Sequence, residues 1–485
     1  MTLKQYINLF MHIQRIQVPD FRALKNVDIT FEKEFTPRIF PLGSQNGGGK
    51  STLLQLIFVL LHCAGNPDRV EFIQNLLHNF HINNNESNKR TLAIIEIWDG
   101  SKTVKIEFFI GNGKYVLEDV MDYVNTKFTT LEDLESGIIN DRENFIVCNF
   151  HKENFIHENI LPLEQEIRTK KMGLLNLKRK VTKNGAEKSL APEELLLEKT
   201  INAEIQEIQI EINNVKALLQ EYHNLLNEIL RNNNVVYICD IYNEINHVEE
   251  KLMCVFDGIN DINEADEFFK NISDKIFLTA HISQIFLFLQ PDNRKSLFKK
   301  QENNQTNYYQ QIKTANSKLP GFFTYDFLAI DILIEAFKKA RDEDFKQAVE
   351  QGGNYGNNYV KLLAELNNLL TNKKINVQPD LSGINFKIDG DETELYPEDL
   401  SHGELKRLCI YMWLKYNNIK DAIVLMDELE ISFHPDWQYQ IVRDLEEWGA
   451  TNQYILATHS YEICQAVTPA HVKELEPKLP SKTIQ

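Results

Sequence analysis

The chain has 485 residues, enough for two or three domains, and its 43% hydrophobic and 25% charged content is ordinary for a globular protein. A formal net charge of −18 repels a polyanion on average, so any nucleic-acid contact must be local or belong to a partner. No uninterrupted apolar run reaches the roughly 18 residues of a membrane span, and no basic segment with an apolar core opens the chain, so a cytoplasmic location is expected.

Six cysteines (Cys63, Cys148, Cys239, Cys254, Cys409 and Cys464) are scattered without a CxxC pair. That argues against a zinc site or a disulfide framework and for buried small hydrophobes. Met11 stands just before the first expected strand, which makes residues 1–10 read as an optional extension.

In chain order, strands are expected at 12–18, 26–31 and 37–42, followed by a helix from Lys50 to Cys63. Two further strands, "RTLAIIEIW" and "TVKIEFFIG", flank the turn signal "DGSK". "NFIVCNF", ending at Phe150, reads as a strand, and "IFLTAHISQIFLFLQ" from Ile276 reads as a buried helix. Residues 235–345 read as mostly helical, with the Asn/Gln-rich stretch 299–311 as a loop. A helix near 359–371 and two strands follow the break "QGGNYGNNY".

Between these parts the spacing changes. Ile205, Ile208, Ile212, Val215, Leu219, Tyr222, Leu226 and Ile229 alternate steps of 4 and 3, the seam of a coiled coil. Ile160, Leu163, Ile167, Leu174, Leu177 and Val181 keep a compatible spacing upstream, with Lys170 on the seam. The turn-rich "TKNGAEKSLAPEE" between them makes an antiparallel hairpin arm the expected form; a single amphipathic helix on a globular domain is the plainer alternative. Residues 168–188 carry eight basic side chains against one acid, Glu187. Such a tip suits phosphates or an acidic partner, although a solvated charged face has the same composition.

Three motifs carry chemistry. "PLGSQNGGGKST" places Gly47, Gly48 and Gly49 where inward-pointing amides must surround a phosphate. Lys50 can reach the β- and γ-phosphates, Ser51 can hold Mg²⁺, and the helix from Lys50 adds its positive end. Ser44 departs from the pattern, which expects glycine there. "DAIVLMDELE" reads as a buried strand ending in Asp427, for the Mg²⁺ shell, and Glu428, to orient the attacking water. "YILATHS" brings Thr458, His459 and Ser460 to the end of a neighbouring strand, within expected reach of a γ-phosphate. "DLSHGELKRL" contains an S-x-x-E capping box at Ser401 and Glu404, with His402 and Gly403 on a helix N-terminus suited to an anion. This second anion site is expected to close on a nucleotide held by another copy of the chain. Taken alone, it is an ordinary capped helix.

These motifs, with "NGGGKST", "LSHGE", "IVLMDE", "HPDWQ" and "ATHS" in that order, resemble the ABC-type ATPases of the SMC, RecF and overcoming-lysogenization-defect group. Lys50 and Ser401 lie 351 residues apart, which implies an inserted arm, and the absence of a CxxC hook disfavours the zinc-hooked repair branch. The N-terminal stretch "VPDFRALKNVDITFEKEFTPRIFPLGSQNGGGKSTLLQLIF" is similar to the PtuA family of Septu-type anti-phage defence, particularly its retron-associated form.

The resemblance implies an α/β ABC-type head formed from both ends of the chain. Its lobes are 1–150 and 346–485, with a coiled-coil hairpin at 151–234 and a helical insert at 235–345. It implies ATP and Mg²⁺ as ligands. Ser44, Asn46, Gly47, Gly48, Gly49, Lys50, Ser51 and Thr52 would bind ATP, Ser51 and Asp427 Mg²⁺. Glu428 and His459 would be catalytic, and Ser401, His402, Gly403 and Glu404 would act on a second subunit's nucleotide. Expected partners are a second copy or more of the chain, a PtuB-like HNH nuclease, and a retron reverse transcriptase with its RNA–DNA product. The alternatives are an SMC/RecF-like DNA-repair ATPase and a nucleotide-gated scaffold that hydrolyses slowly.

Overall fold

The structure, a computed structural model, describes residues 10–44, 47–82, 87–120, 145–182, 192–243, 248–259, 262–281, 289, 314, 317–325, 329–391 and 393–475. In chain order the elements begin with β1 (His12–Phe21), β2 (Leu24–Thr30), β3 (Ile39–Gly43), α1 (Lys50–Cys63), α2 (Val70–Leu77), β4 (Lys89–Trp98) and β5 (Thr103–Gly111). There follow α3 (Lys152–Asn159), α4 (Leu161–Thr182), α5 (Pro192–Asn232), β6 (Val235–Asn243), β7 (Val248–Asp257), α6 (Ile262–Ser273), β8 (Ile276–Ala280) and β9 (Phe322–Thr324). Next are α7 (Ala329–Glu350), α8 (Asn358–Leu369), β10 (Lys373–Val377), β11 (Ile384–Ile388), β12 (Glu394–Leu395) and α9 (His402–Tyr416). The described chain closes with β13 (Ile423–Asp427), α10 (Pro435–Trp448), β14 (Gln453–Ala457), α11 (Tyr461–Gln465) and β15 (Lys473–Glu474). Among the described residues, no helix is long and apolar enough to cross a membrane.

The chain divides into two compact units, the first built from residues within 1–78, 91–107 and 256–485. Its centre is a sheet in the order β15-β3-β14-β13-β8-β9, with every neighbouring pair parallel. The continuous apolar runs of β13 and β14 are buried along their whole length, as strands covered on both faces must be. Parallel strands bring β3, β14, β13 and β8 out at one common edge, the place where open α/β sheets bind ligands. Helix α1 has apolar residues nearly all round, and Leu53, Leu54, Leu56, Ile57, Phe58, Val59, Leu60 and Leu61 are fully buried. Helix α9 is similar, with Leu408 to Leu414 in one core with α7 and β13. β1 pairs antiparallel with β2 and β4, and Gln453 at the start of β14 exchanges two hydrogen bonds with the Ile13 backbone, at 2.8 and 2.9 Å.

The second unit comprises residues within 79–90 and 108–255. Ile160 and Ile167 of the upstream limb pack with Ile205, Ile208 and Ile212 of α5, the spacing read as a heptad seam. Lys170, on the seam, forms ion pairs with Glu166 at 3.3 Å and Glu204 at 2.7 Å, leaving its stem on the apolar stripe. Asn149 donates to Tyr222 O at 3.2 Å, so the limbs run antiparallel, low numbers facing high. Residues 183–191, with Lys183 and Lys188 of the basic tip, lie outside the described residues.

Three local expectations are corrected. Residues 145–150 are helical, with Phe145, Cys148 and Phe150 buried and Asn149 Nδ2 donating to Phe145 O at 3.1 Å. Ile276–Ala280 is a strand, because its neighbour β13 completes a parallel ladder on it; residues 282–288 lie outside the described residues. The stretch 235–345 contains the antiparallel pair β6–β7 and strands β8 and β9 beside α6 and α7, so it is mixed rather than helical. A short continuous apolar run has no period, and its long-range partners decide its type. The 299–311 stretch and residues 1–9 also lie outside the described residues.

Candidate functional site

The site begins where β3 ends. Gly47 and Gly49 have φ of 82° and 88°, the left-handed region in which glycine carries no Cβ penalty. Gly49 is the residue before α1, and a Cβ there would lie 2.7 Å from Leu24 Cδ2. Ser44 follows β3, while Asn46 lies outside the described residues. Gly48 is buried, and Ser51 and Thr52 are half-buried in the first turn of α1.

Lys50 is 6% exposed, and its ammonium donates to Ser44 O at 3.2 Å and Ser44 Oγ at 3.0 Å. It also lies 3.4 Å from His459 Nδ1. Burial lowers the Lys50 pKa below the usual amine value, while the carboxylates of Glu430, Asp427 and Glu428 oppose that shift.

Asp427 closes β13 at 1% exposure, and Ser51 Oγ donates to its Oδ1 at 2.9 Å. Burial pushes this carboxyl up to about 7, helped by the neighbouring charges of Glu428 and Glu430 and opposed by the Ser51 hydroxyl and Lys50. Its Oδ2 is buried without a hydrogen-bond partner. A buried carboxylate oxygen left in this way, beside a serine hydroxyl, fits the hard-oxygen donor set of Mg²⁺.

Glu428 is half-buried and left-handed, with φ of 48°, and its amide donates to Ala457 O at 2.9 Å. The next acid, two residues on, completes the cluster. Glu430 accepts from the His459 amide at 2.6 Å through Oε1, while its Oε2 is buried without a partner. Sequence reading missed Glu430; the only signal was a third acid in "DELE".

Of the "THS" residues, His459 alone faces Lys50. Thr458 Oγ1 accepts from the Ser460 amide at 2.9 Å, and Ser460 Oγ caps α11 by accepting from Ile463 N at 3.0 Å. These two hydroxyls hold the turn that presents the histidine.

A second cluster surrounds the start of α9. Ser401 is its N-cap: Glu404 N donates to Ser401 Oγ at 3.2 Å, and Ser401 N donates to Glu404 Oε2 at 3.1 Å. Lys373 of β10 donates to both Glu404 oxygens, at 2.7 and 2.9 Å. Burial alone would raise the Glu404 carboxyl, but the Lys373 and Ser401 hydrogen bonds outweigh it and hold the pKa below the usual value. Ser401 and His402 are exposed, so the helix end is open to a ligand. At Gly403 a Cβ would lie 2.6 Å from Ser432 O, which packs α9 tightly on the turn after β13. Lys406 joins the clusters, donating to Glu428 O at 3.1 Å and Ile431 O at 3.2 Å.

The arrangement can hold a polyphosphate on the β3–α1 loop, a divalent cation between Ser51 and Asp427, and a solvent molecule beside Glu428. A second anion can meet Ser401–Glu404.

The family model described as the AAA ATPase domain matches residues 11–464. The chain is 42% identical over 52 residues to the Retron Vc95 probable ATPase of Vibrio cholerae serotype O1 biovar El Tor, covering 11% of this chain and 10% of that protein. It is 36% identical over 51 residues to the Retron Ec83 probable ATPase of Escherichia coli, covering 10% and 9%. The match thus spans about a tenth of the length of these curated relatives. Among solved structures it is similar to the Smc head domain with an extended coiled coil bound to the C-terminal domain of ScpA, from Pyrococcus furiosus. That likeness has 12% identity and a TM-score of 0.30, covering 94% of this chain and 92% of the other. The recombination mediator protein RecF of the RecFOR pathway gives 13% identity and a TM-score of 0.25, covering 93% and 94%.

Proposed function

The chain belongs to the AAA ATPase domain family, and from that premise we propose that it hydrolyses ATP at a site shared between two copies of itself. One observation carries the reading: Lys50, Ser51, Asp427 and His459, which come from opposite ends of the sequence, meet within hydrogen-bond distance. The glycine loop would bind the phosphates, and Lys50 would leave Ser44 for the β/γ oxygens. Ser51 and Asp427 would hold Mg²⁺, whose chemistry is to neutralise charge developing on those oxygens. Glu428 would accept a proton from the attacking water, and His459, fixed by Glu430, would face the terminal phosphate. Ser401–Glu404 of a second subunit would cover that phosphate from the other side.

Nucleotide state then becomes interface geometry, which a partner can read. The family resemblance and the retron ATPases among the relatives support a cytoplasmic anti-phage complex. In it the ATPase would restrain or release a PtuB-like HNH nuclease and meet a retron reverse transcriptase with its RNA–DNA product, the basic arm tip being the natural contact for nucleic acid. The net charge of −18 weighs against direct action on bulk DNA.

Lys50→Ala should abolish ATP binding. Glu428→Gln should bind ATP normally but lower hydrolysis by about 100-fold or more, accumulating an ATP-bound dimer. Equilibrium nucleotide binding, phosphate release and sedimentation check all three; wild-type hydrolysis in both variants would refute the site. Co-expression with the neighbouring nuclease tests the partnership. Nuclease output that ignores Glu428→Gln, together with ATPase activity stimulated by DNA alone, would favour a repair ATPase.

A further inference from the structure

We propose that Lys406 is a positioning residue that couples the two composite sites, tying one subunit's Glu428 to the helix with which that subunit covers its partner's nucleotide. The proposal rests on the shared-site reading above and names how the two halves communicate.

Lys406 lies five positions beyond Ser401 on α9 and is 4% exposed. A buried ammonium must have its donors satisfied. Two of its hydrogen bonds go to main-chain carbonyls, Glu428 O at 3.1 Å and Ile431 O at 3.2 Å. The same group sits 4.0 Å from the Tyr325 ring centroid and 5.5 Å from that of Phe433, both favourable faces for a cation. Both carbonyls belong to one turn, which begins and ends with left-handed non-glycine residues, Glu428 at φ 48° and Ser432 at φ 74°. Such backbone persists only where its surroundings hold it.

The Glu428 amide is fixed to the end of β14 through Ala457 O, and its carbonyl is fixed to α9 through Lys406. Gly403 brings the first turn of α9 against Ser432 O so closely that a methyl group would collide at 2.6 Å. The exposed end of α9 and the turn carrying Glu428 therefore move as one body. A nucleotide on the partner that draws Ser401–Glu404 into place sets the backbone from which Glu428 reaches its water. Each site's base thereby registers whether the other site is filled, and hydrolysis is cooperative in ATP.

The plainer role for Lys406 is to fill the cleft lined by His281, Tyr325, His402, Leu405 and Ser432. Steady-state hydrolysis by the full chain distinguishes them. Wild type should show a Hill coefficient above 1. Lys406→Met, which keeps the stem and loses the donors, should lower kcat by about tenfold or more, with half-saturation and ATP-driven association within about twofold. Its Hill coefficient should fall below the wild-type value. Lys406→Arg keeps donors and should recover part of both. In a Glu428→Gln background, Lys406→Met should change the residual rate by less than about twofold, since the two residues act as a unit.

Equal losses in both backgrounds, or an unaffected kcat and Hill coefficient in Lys406→Met, overturn the proposal. If Lys406→Met does not fold, Lys406→Gln serves in both backgrounds with the same criteria. Wild-type protein without Lys50-dependent hydrolysis overturns the ATPase reading itself; normal wild-type turnover with an indifferent Lys406 overturns only the coupling.

Discussion

Ser44 gives Lys50 two acceptors, its hydroxyl at 3.0 Å and its carbonyl at 3.2 Å, and so holds a buried ammonium in readiness beside the glycine loop. The glycines of that loop differ in what they are needed for. Gly47 at φ 82° has open space where a Cβ would stand, whereas Gly49 at φ 88° faces Leu24, itself 1% exposed, at 2.7 Å. Gly47→Ala should therefore cost about 1 kcal/mol, the left-handed backbone alone. Gly49→Ala should cost about 2–3 kcal/mol and weaken ATP binding, because the start of α1 must shift. Thermal unfolding and nucleotide titration of the two variants check the order; an equal or larger effect at Gly47 would refute it. Lys50, Ser51, Asp427 and Glu428 were legible in the sequence because their chemistry is tied to local spacing within a loop or at a strand end. Glu430 and Lys406 were not, because their roles depend on which backbone group a distant strand or helix presents to them.

At the scale of elements, sequence pattern identified the long pieces and misassigned β8 and residues 145–150. The seam of α5 survives as Ile205, Ile208 and Ile212 because a helix packed on another helix must repeat that spacing. β8 was invisible as a strand, since a short, mostly apolar run carries no phase until β13 and β9 flank it. The β6–β7 pair has a cost of its own, visible in Glu249. Burial first, and the charge of Asp240 second, push its carboxyl up to about 7 against the opposing pull of Lys251 and Lys152, with Glu153 adding to the rise.

A carboxyl whose folded pKa lies above its unfolded value of 4.5 binds its proton more tightly in the folded state. Its contribution to stability is fully present below about 4.5, declines as pH rises toward about 7 and stays lost above. Glu249→Gln should therefore leave stability near pH 4.5 little changed and raise it by about 1–3 kcal/mol at pH 8. Melting curves across that range decide the point. A variant that parallels wild type at every pH would show that Glu249 is already relieved by Lys251.

For the whole molecule, the proposed function rests on each polypeptide carrying two half-sites of opposite kind. The loop at 47–52 would supply a phosphate cradle, and the capped, exposed end of α9 would supply an anion-binding helix terminus. If they serve one another across two copies, damage to the two halves must complement. Ser401→Arg should still bind ATP on its intact loop yet fail to associate, since its α9 end is blocked. Lys50→Ala should fail at both. Mixed together, they form a pair in which the intact loop of one subunit faces the intact helix end of the other.

Placing both changes in a Glu428→Gln background removes turnover, so association alone is read. Sedimentation with ATP should show dimer in the mixture and monomer in each variant by itself. ATP-driven dimerisation of Ser401→Arg alone would refute the shared site. With Glu428 restored, independent sites would return at most about half of wild-type turnover, because only mixed pairs form and each holds one sound site of two. Coupling through Lys406 predicts less than that half. The Glu428 paired with the sound loop belongs to the subunit whose own α9 end is blocked, so its turn never receives the partner's signal. The shortfall from one half therefore measures how strongly one nucleotide sets the other's catalytic base.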